Sequence, residues 1–420
     1  MFGLKEAEVA TLIRAVASDD LDREGIRDRF ARATWTGIAE PGDRMAGLAV
    51  ETLGAAGALD AVVERWPTPR WLAAFTQAGV DAVPEDEVGQ AIDRWQPRLK
   101  SETALLALRQ SARFGARLLT PDQVLWPAGL SDLGLHAPLA LWLRGTDGAL
   151  ASLANSIAMV GARAATSYGE NVTMEASAGL VDRGFAIVSG AAYGIDGMAH
   201  RAALASHGQT IAFLAGGVDR FYPSGHDALI TRIVAEGAIL SELPVGQPPT
   251  KWRFLQRNRL IAAASQATIV VEAGWRSGSL NTAAHASTLG RPLGAVPGPV
   301  NSATSAGCHR LIRDYDATLV TNPDEMAELV TGPTPAHPLD GAPGRVVAEG
   351  GVTDSPEVTR LLDALSVTAP RATGDIAARC GLSIAAVQSL LGRLELDDRV
   401  AERERGWIKR RPAKNSLGEP

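Results

Sequence analysis

Residues 251 to 260, KWRFLQRNRL, place Lys251, Arg253, Arg257 and Arg259 within nine positions, with Trp252 and Phe254 among them and no acid between. Cations at this density suit phosphate oxygens. Interleaved rings suit unstacked bases, at about 1–3 kcal/mol per stacked base, which together describe a path for a single nucleic-acid strand. Composition runs the other way, because the 420-residue chain carries a formal charge of -6. That charge argues against a generally basic coat. It leaves room for a local basic groove, since charges are screened beyond about 8 Å at physiological salt.

Four other segments directly follow apolar runs, GARAATSYG (161–169), SGAAYGID (189–196), GGVDRFYP (216–223) and EAGWRSGSLNTA (272–283), and three of them combine glycine with serine, threonine or arginine ahead of a helix. Backbone N–H groups at a helix N-terminus, with small residues that let a ligand approach, form an anion site. The competing reading of each segment is a tight turn between strand and helix. None matches G-x-G-x-x-G or G-x-x-x-x-G-K-[ST], so neither a dinucleotide fingerprint nor an NTPase loop is supported.

Catalytic and metal-binding sets are missing from the pattern. The seven histidines form no H-x-x-x-H or H-E-x-x-H, and there is no G-x-S-x-G elbow. Asp196, Asp219 and Glu242 are read as helix caps or partners of nearby arginines rather than as acid or base. No catalytic residue, metal site or cofactor is assigned. Two cysteines, Cys308 and Cys380, form no CxxC pair and fit a reducing cytoplasm. The first residues, MFGLKEAEVATL, do not have the pattern of a secretion signal, and no uninterrupted apolar run suggests a membrane span.

The elements that would position these residues follow from periodicity. Residues 1–105 are rich in Ala, Leu, Arg, Asp and Glu at helical spacing, as in Val9, Leu12, Ile13 and Val16, and predict a helical domain. From 106 to 330, short apolar runs alternate with helical stretches. The runs are SIAMVGA, FAIVSG, TIAFLAGG, AILSE, ATIVVEAG and LGAVPG, and they predict an α/β fold with a doubly wound parallel sheet. Segments around ARLLTPDQV and PLALWLRG are expected to add edge strands. Residues 331–356 hold five prolines and five glycines and are read as a linker. Residues 357–411 read as three helices and a hairpin, the winged-helix pattern, before a tail at 412–420.

In an open parallel sheet, ligands bind outside the carboxyl ends of the strands. KWRFLQRNRL follows the fourth run and lies on that edge. Projected as a helix, Phe254, Leu255, Leu260 and Ile261 do not share one face. The stretch is therefore read as a loop entering a buried helix near residue 254. Cations at a helix start oppose the macrodipole, which suggests that they answer to a polyanion.

Region 156–312 resembles the DprA (Smf) family. The matching motifs are VGAR…SYG (160–169), SGAAYGID..AH (189–200), GGVDRFYP (216–223), SELPVG (241–246), RNRLIAAAS (257–265), EAG..SGSL.TA..A...GRP..AVPG (272–298) and GCHRLI (307–312). The resemblance implies an extended Rossmann-like fold, a helical N-terminal domain of the SAM or helix-hairpin-helix-like kind, and a winged-helix end. It implies binding of single-stranded DNA, homodimerisation and loading of the recombinase RecA onto incoming DNA in natural transformation. Carried over motif by motif, the DNA contacts are Arg163, Tyr222, Lys251, Phe254, Arg257, Asn258 and Arg259, with Gly190, Ser277, Gly278 and Ser279 supplying amides and hydroxyls. Lys251 and Arg257 are assigned to phosphate and Phe254 to a base. Trp252 and Arg253 have no family match and are read as scaffold or surface. The dimer interface would lie near His309, Leu311, Ile312 and Leu319. The chain departs from the family at Ala162, where Ser or Thr is frequent, and at Leu255, where Pro is frequent.

Two other readings compete. A nucleoside monophosphate phosphoribohydrolase has a loop of the form PGGxGTxxE. Here Gly278-Ser279 replaces Gly-Thr, and Thr282 stands where the catalytic Glu would be, which removes the general acid/base. A winged-helix regulator of double-stranded DNA would use SIAAVQSLLGRLELDDR as its recognition helix. That segment sets Arg393 and Arg399 against Glu395, Asp397 and Asp398, a poor balance for facing phosphates.

Overall fold

Runs of Ala, Ile and Val bounded by glycine or serine build a nine-stranded sheet in the computed structural model. Its strands are β1 (Arg117–Leu119), β2 (Leu141–Gly145), β3 (Ser156–Val160), β4 (Ala186–Ser189), β5 (Thr210–Phe213), β6 (Ala238–Ser241), β7 (Ala267–Val270), β8 (Leu293–Ala295) and β9 (Thr318–Leu319). The order is β1-β2-β6-β5-β4-β3-β7-β8-β9. Strands β3 to β9 pair in parallel, and β1 and β2 add an antiparallel edge. The structure describes residues 2–80 and 83–332, then 358, 361–362, 364–380, 384–397, 399–403 and 406–410. The chain divides into two compact units, Met1–Pro335 and Ala336–Pro420.

All six expected parallel runs are strands, and both edge segments are strands as well. Alternation along β3 explains the two-sided burial. Ile157 and Met159 face a core built with α8 (Ser167–Asp182), α9 (Ile195–Ala205) and α14 (Pro323–Thr331). Ala158 and Val160 face the other core, with α11 (Lys251–Ala264) and α12 (Ser279–Thr288). Of the remaining helices on this sheet, α7 spans Asp147–Ala151, α10 Asp227–Glu236 and α13 Ala306–Asp314. The order of strand addition reverses beside β3. Strands β4, β5 and β6 lie successively on one side of it and β7, β8 and β9 on the other, which makes the β3–β7 gap the topological switch point.

The N-terminal helices are α1 (Glu6–Val16), α2 (Arg23–Ile38), α3 (Arg44–Val63), α4 (Thr68–Gln77), α5 (Glu85–Trp95) and α6 (Ser101–Arg113). Helix α6 runs through the boundary expected at 105. Trp35, Trp71 and Trp95 are buried together, with Trp35 edge-on to Trp95 at 5.1 Å. The same core takes in Trp142 of β2 and Ile239 of β6, so the helical layer and the sheet share apolar packing. Trp142 Nε1 donates to Thr36 Oγ1 at 3.1 Å. Helix α3 is long and apolar enough to cross a membrane, but Gly54 breaks it at φ 69 and Met45, Leu48, Ala58 and Leu59 are buried in this core.

In the second unit, α15 (Thr373–Cys380) and α16 (Ile384–Leu396) precede an antiparallel hairpin of β10 (Val400–Arg403) and β11 (Gly406–Lys409). Leu361, Leu362, Ile376, Leu390 and Val400 form its core. Most of the expected linker, from 333 to 356, and the tail at 412–420 lie outside the described residues.

Candidate nucleic-acid interface

The loops at the carboxyl edge meet around the switch point. Thr166 caps α8, its hydroxyl accepting from Gly169 N at 3.3 Å, and this ends the loop that carries Arg163. The loop after β4 packs against it. Ile195 N donates to Ala162 O at 3.2 Å. Gly194, at φ 73, permits that contact, since a Cβ there would fall 2.2 Å from Ala162 O.

Helix α11 starts at Lys251, not near 254. Thr250 caps it by accepting from Arg253 N at 3.3 Å. The first turn leaves Lys251 exposed and Phe254 half-buried. Phe254 is the centre of a cluster. The Tyr222 ring lies 5.3 Å away, tilted by 56°. The guanidinium carbons of Arg163 and Arg257 lie 5.2 Å and 5.9 Å from the Phe254 centroid. Tyr222 is 49% exposed, and Arg163 is exposed as well. Among the described residues, Arg163 and Lys251 make no ion pair. This is a cationic, aromatic surface with open valences.

Arg257, Asn258 and Arg259, further along α11, behave differently. Arg257 is buried, with Nη1 donating to Gly190 O at 2.7 Å and also to Phe213 O. Burial pushes its pKa down to about 10, against the pull of Asp196. Asp196, pushed up by burial with Arg257 opposing, accepts from Gly190 N at 3.2 Å and Ala192 N at 3.4 Å. Gly190 is obligatory in this packing, because a Cβ would lie 2.0 Å from Arg257 Nη1. Asn258 Nδ2 donates to Gly278 O at 3.3 Å and Asn281 Oδ1 at 3.2 Å, holding the Ser277–Ser279 loop. Arg259 forms a buried pair with Glu242 at 2.6 and 2.8 Å and points away from the Phe254 cluster.

The Ser277–Ser279 loop opens α12. Ser277 Oγ and Ser279 Oγ are 2.8 Å apart, and Ser279 N donates to Ser277 Oγ at 3.4 Å. Gly278 has open space where a Cβ would stand. Arg276 is exposed beside it.

Trp252 and Arg253 also resolve. Arg253 pairs with Glu40 at 3.0 and 3.1 Å, tying α11 to the helical layer. Burial raises the Glu40 pKa, but Arg253 and Arg98 more than reverse this and hold it low. Trp252 is 57% exposed and lines a cleft of about 1020 Å³ with Arg44, Gln256, Arg259 and His285.

Of the residues assigned to a dimer contact, Leu311 is 2% exposed and belongs to the core. His309 Nε2 is engaged with Gly298 O at 3.0 Å, and Ile312 is half-buried. Leu319, on edge strand β9, is 48% exposed. Asp219 accepts from Gly246 N at 2.8 Å. Thr282 is buried, and burial pushes the Cys308 thiol up to about 12, so the thiolate is suppressed. The residue that sequence reading left without a role is Glu272, a buried acid directly beyond β7. Its signal was an acid closing an apolar run.

Comparison with known proteins follows from this geometry. Residues 117–331 match the family model for DNA recombination-mediator protein A, and residues 333–404 match that of the DprA winged helix domain. The chain belongs to the DprA (Smf) family. A putative DNA processing protein DprA of Mycobacterium tuberculosis H37Rv is 52% identical over 228 residues, covering 52% of this chain and 58% of that protein. The match thus spans little more than half the length of this DprA relative. Protein Smf of Escherichia coli K12 is 38% identical over 264 residues, covering 61% of this chain and 68% of that protein. The crystal structure of DprA from Streptococcus pneumoniae superposes with a TM-score of 0.56 at 26% identity, covering 71% of this chain and 96% of that one.

Proposed function

We propose that the carboxyl edge of the sheet binds single-stranded DNA without catalysis and delivers it to a RecA-type recombinase. The carrying observation is the Phe254 cluster, a half-buried ring flanked by Tyr222 and by Arg163, a cation without an ion pair among the described residues. Phosphate contacts fall to Arg163 and Lys251, with Ser277, Gly278 and Ser279 as neutral donors. A base stacks at Phe254 and Tyr222. Arg257, Asn258 and Gly190 support the site from beneath, and Arg257 adds field rather than a direct contact. Arg259 is removed from the contact set, because Glu242 takes its donors.

Membership of a family described by recombination mediation supports the recombinase partner. A homodimer would use exposed Leu319 and half-buried Ile312, with Leu311 as internal support. The winged-helix segment is given an accessory role. Removal of residues 345–420 should leave single-strand affinity largely intact, and a large loss would move the DNA site there. The decisive experiment compares affinity for single- and double-stranded oligonucleotides, with RecA loading followed in the same titration. Equal affinity for both, or no effect on loading, would overturn the proposal.

A further inference from the structure

Glu272 is 2% exposed, and its acceptors are filled by neutral donors. Oε2 accepts from Thr166 N at 2.9 Å. Oε1 accepts from the hydroxyls of Thr166 and Thr304, each at 2.8 Å. Its main-chain oxygen accepts from Ala162 N at 2.7 Å. One residue on the β7 side of the switch point therefore grips the β3 loop at positions 162 and 166, with Arg163 between the two grips.

Two glycines make room for this arrangement. A Cβ on Gly169 would fall 2.2 Å from Oε2, and one on Gly161 would fall 2.9 Å from Glu272 O. Both glycines of GARAATSYG thus lie against the same acid. The carboxylate also lies at the N-terminus of α8, where the helix dipole favours negative charge. On the other side, Ala273 N donates to Thr304 O at 2.8 Å, which joins the loop after β8 to the clamp.

Among the described residues, the Arg163 side chain makes no ion pair or hydrogen bond and rests only on the face of Phe254. Its backbone must supply the order. We propose that Glu272 is a positioning residue for the single-strand site, holding the 162–166 loop so that the Arg163 guanidinium stays over Phe254 and meets a phosphate there. This rests on the reading that Arg163 contacts DNA. A glutamine at 272 is neutral and puts an NH2 in place of one acceptor oxygen, so the three donors lose the charged two-oxygen acceptor they share.

The test uses the full chain, a fluorescently labelled oligothymidylate and a salt series read by anisotropy. Glu272→Gln and Thr166→Val should each weaken binding about tenfold, the scale of losing a charge-assisted hydrogen bond. Each should lower the slope of log affinity against log salt by about 0.7, one phosphate contact. Thr166→Ser should restore both. In an Arg163→Ala background, Glu272→Gln should add nothing. A lost helix cap lowers melting temperature but leaves that slope alone, so the slope separates positioning from stability. Losses that add fully to that of Arg163→Ala, or an unchanged slope, would overturn the clamp while leaving the DNA site standing. No loss in Arg163→Ala itself would remove the site assignment and the clamp with it. Should Glu272→Gln fail to fold, the Thr166→Val and Thr166→Ser pair carries the same comparison.

Discussion

Arg259 and Glu242 form a two-pronged ion pair, 2.6 and 2.8 Å, with both side chains almost wholly removed from solvent. A buried pair of this kind is broken at high cost, because the surviving charge is left buried without its counter-ion. Arg259→Ala or Glu242→Gln is expected to destabilise the larger unit by about 3–5 kcal/mol. Urea unfolding would register this as a lower midpoint. The salt slope of DNA binding, measured on folded protein, should stay at the wild-type value. A wild-type midpoint with a reduced slope would return Arg259 to the DNA surface.

Arg163 and Lys251 are the opposite case, exposed and without an ion pair among the described residues. Arg163→Ala and Lys251→Glu should abolish single-strand binding in a gel-shift assay at moderate salt while melting temperature holds. At low salt, where residual binding is measurable, Arg163→Ala should lower the salt slope by about 0.7, as expected for one phosphate contact. Binding unchanged in either variant would sink its assignment.

Phe254 and Tyr222, with ring centroids 5.3 Å apart, should act as one stacking platform. Phe254→Ala is expected to cost about 1–3 kcal/mol of binding. Because the rings touch, the double substitution Phe254→Ala with Tyr222→Ala should lose less than the sum of the single losses. Phe254→Leu keeps apolar bulk but offers no ring, so it should bind nearly as poorly as alanine. Titrations with a short oligonucleotide would measure all four proteins. Strict additivity would mean that the two rings hold different parts of the strand.

The parallel sheet was legible because each central strand is a short apolar run closed by a turn residue. Strand β9 was not, since two residues carry no period, and only its register with Gly294 and Ala295 defines it. The start of α11 was missed for an electrostatic reason. Arg257, Asn258 and Arg259 look like an exposed polar run, yet all three are buried, with partners 17 to 67 positions away. Arg253 is likewise explained by Glu40, 213 positions distant. The boundary expected at 105 fell inside α6 because amphipathic helix continues across it without a change of composition. Local spacing revealed which residues belong to the carboxyl edge. Which cations face outward depended on acids and carbonyls that only the fold brings near.

His200 supplies a pH dependence with a definite sign. The ring is fully buried, and Thr210 Oγ1 donates to Ile187 O at 2.9 Å, so at its 2.7 Å contact with His200 Nδ1 it accepts. That places the ring proton on Nδ1 and leaves Nε2 an acceptor without a donor among the described residues. Burial first, then His226, Arg257 and Arg201, push the pKa from 6.5 down to about 3. The folded state therefore refuses a proton that the unfolded chain accepts. Stability from this group is complete above pH 6.5 and is lost as pH falls toward 3. Between pH 7 and pH 5 the loss should be about 2 kcal/mol. His200→Asn keeps a donor toward Thr210 and cannot titrate. It should lower stability at pH 7 through lost packing, yet show a shallower decline to pH 5 than the wild type. Urea unfolding at the two pH values gives both quantities. Parallel declines in the two proteins would assign the acid sensitivity to other groups.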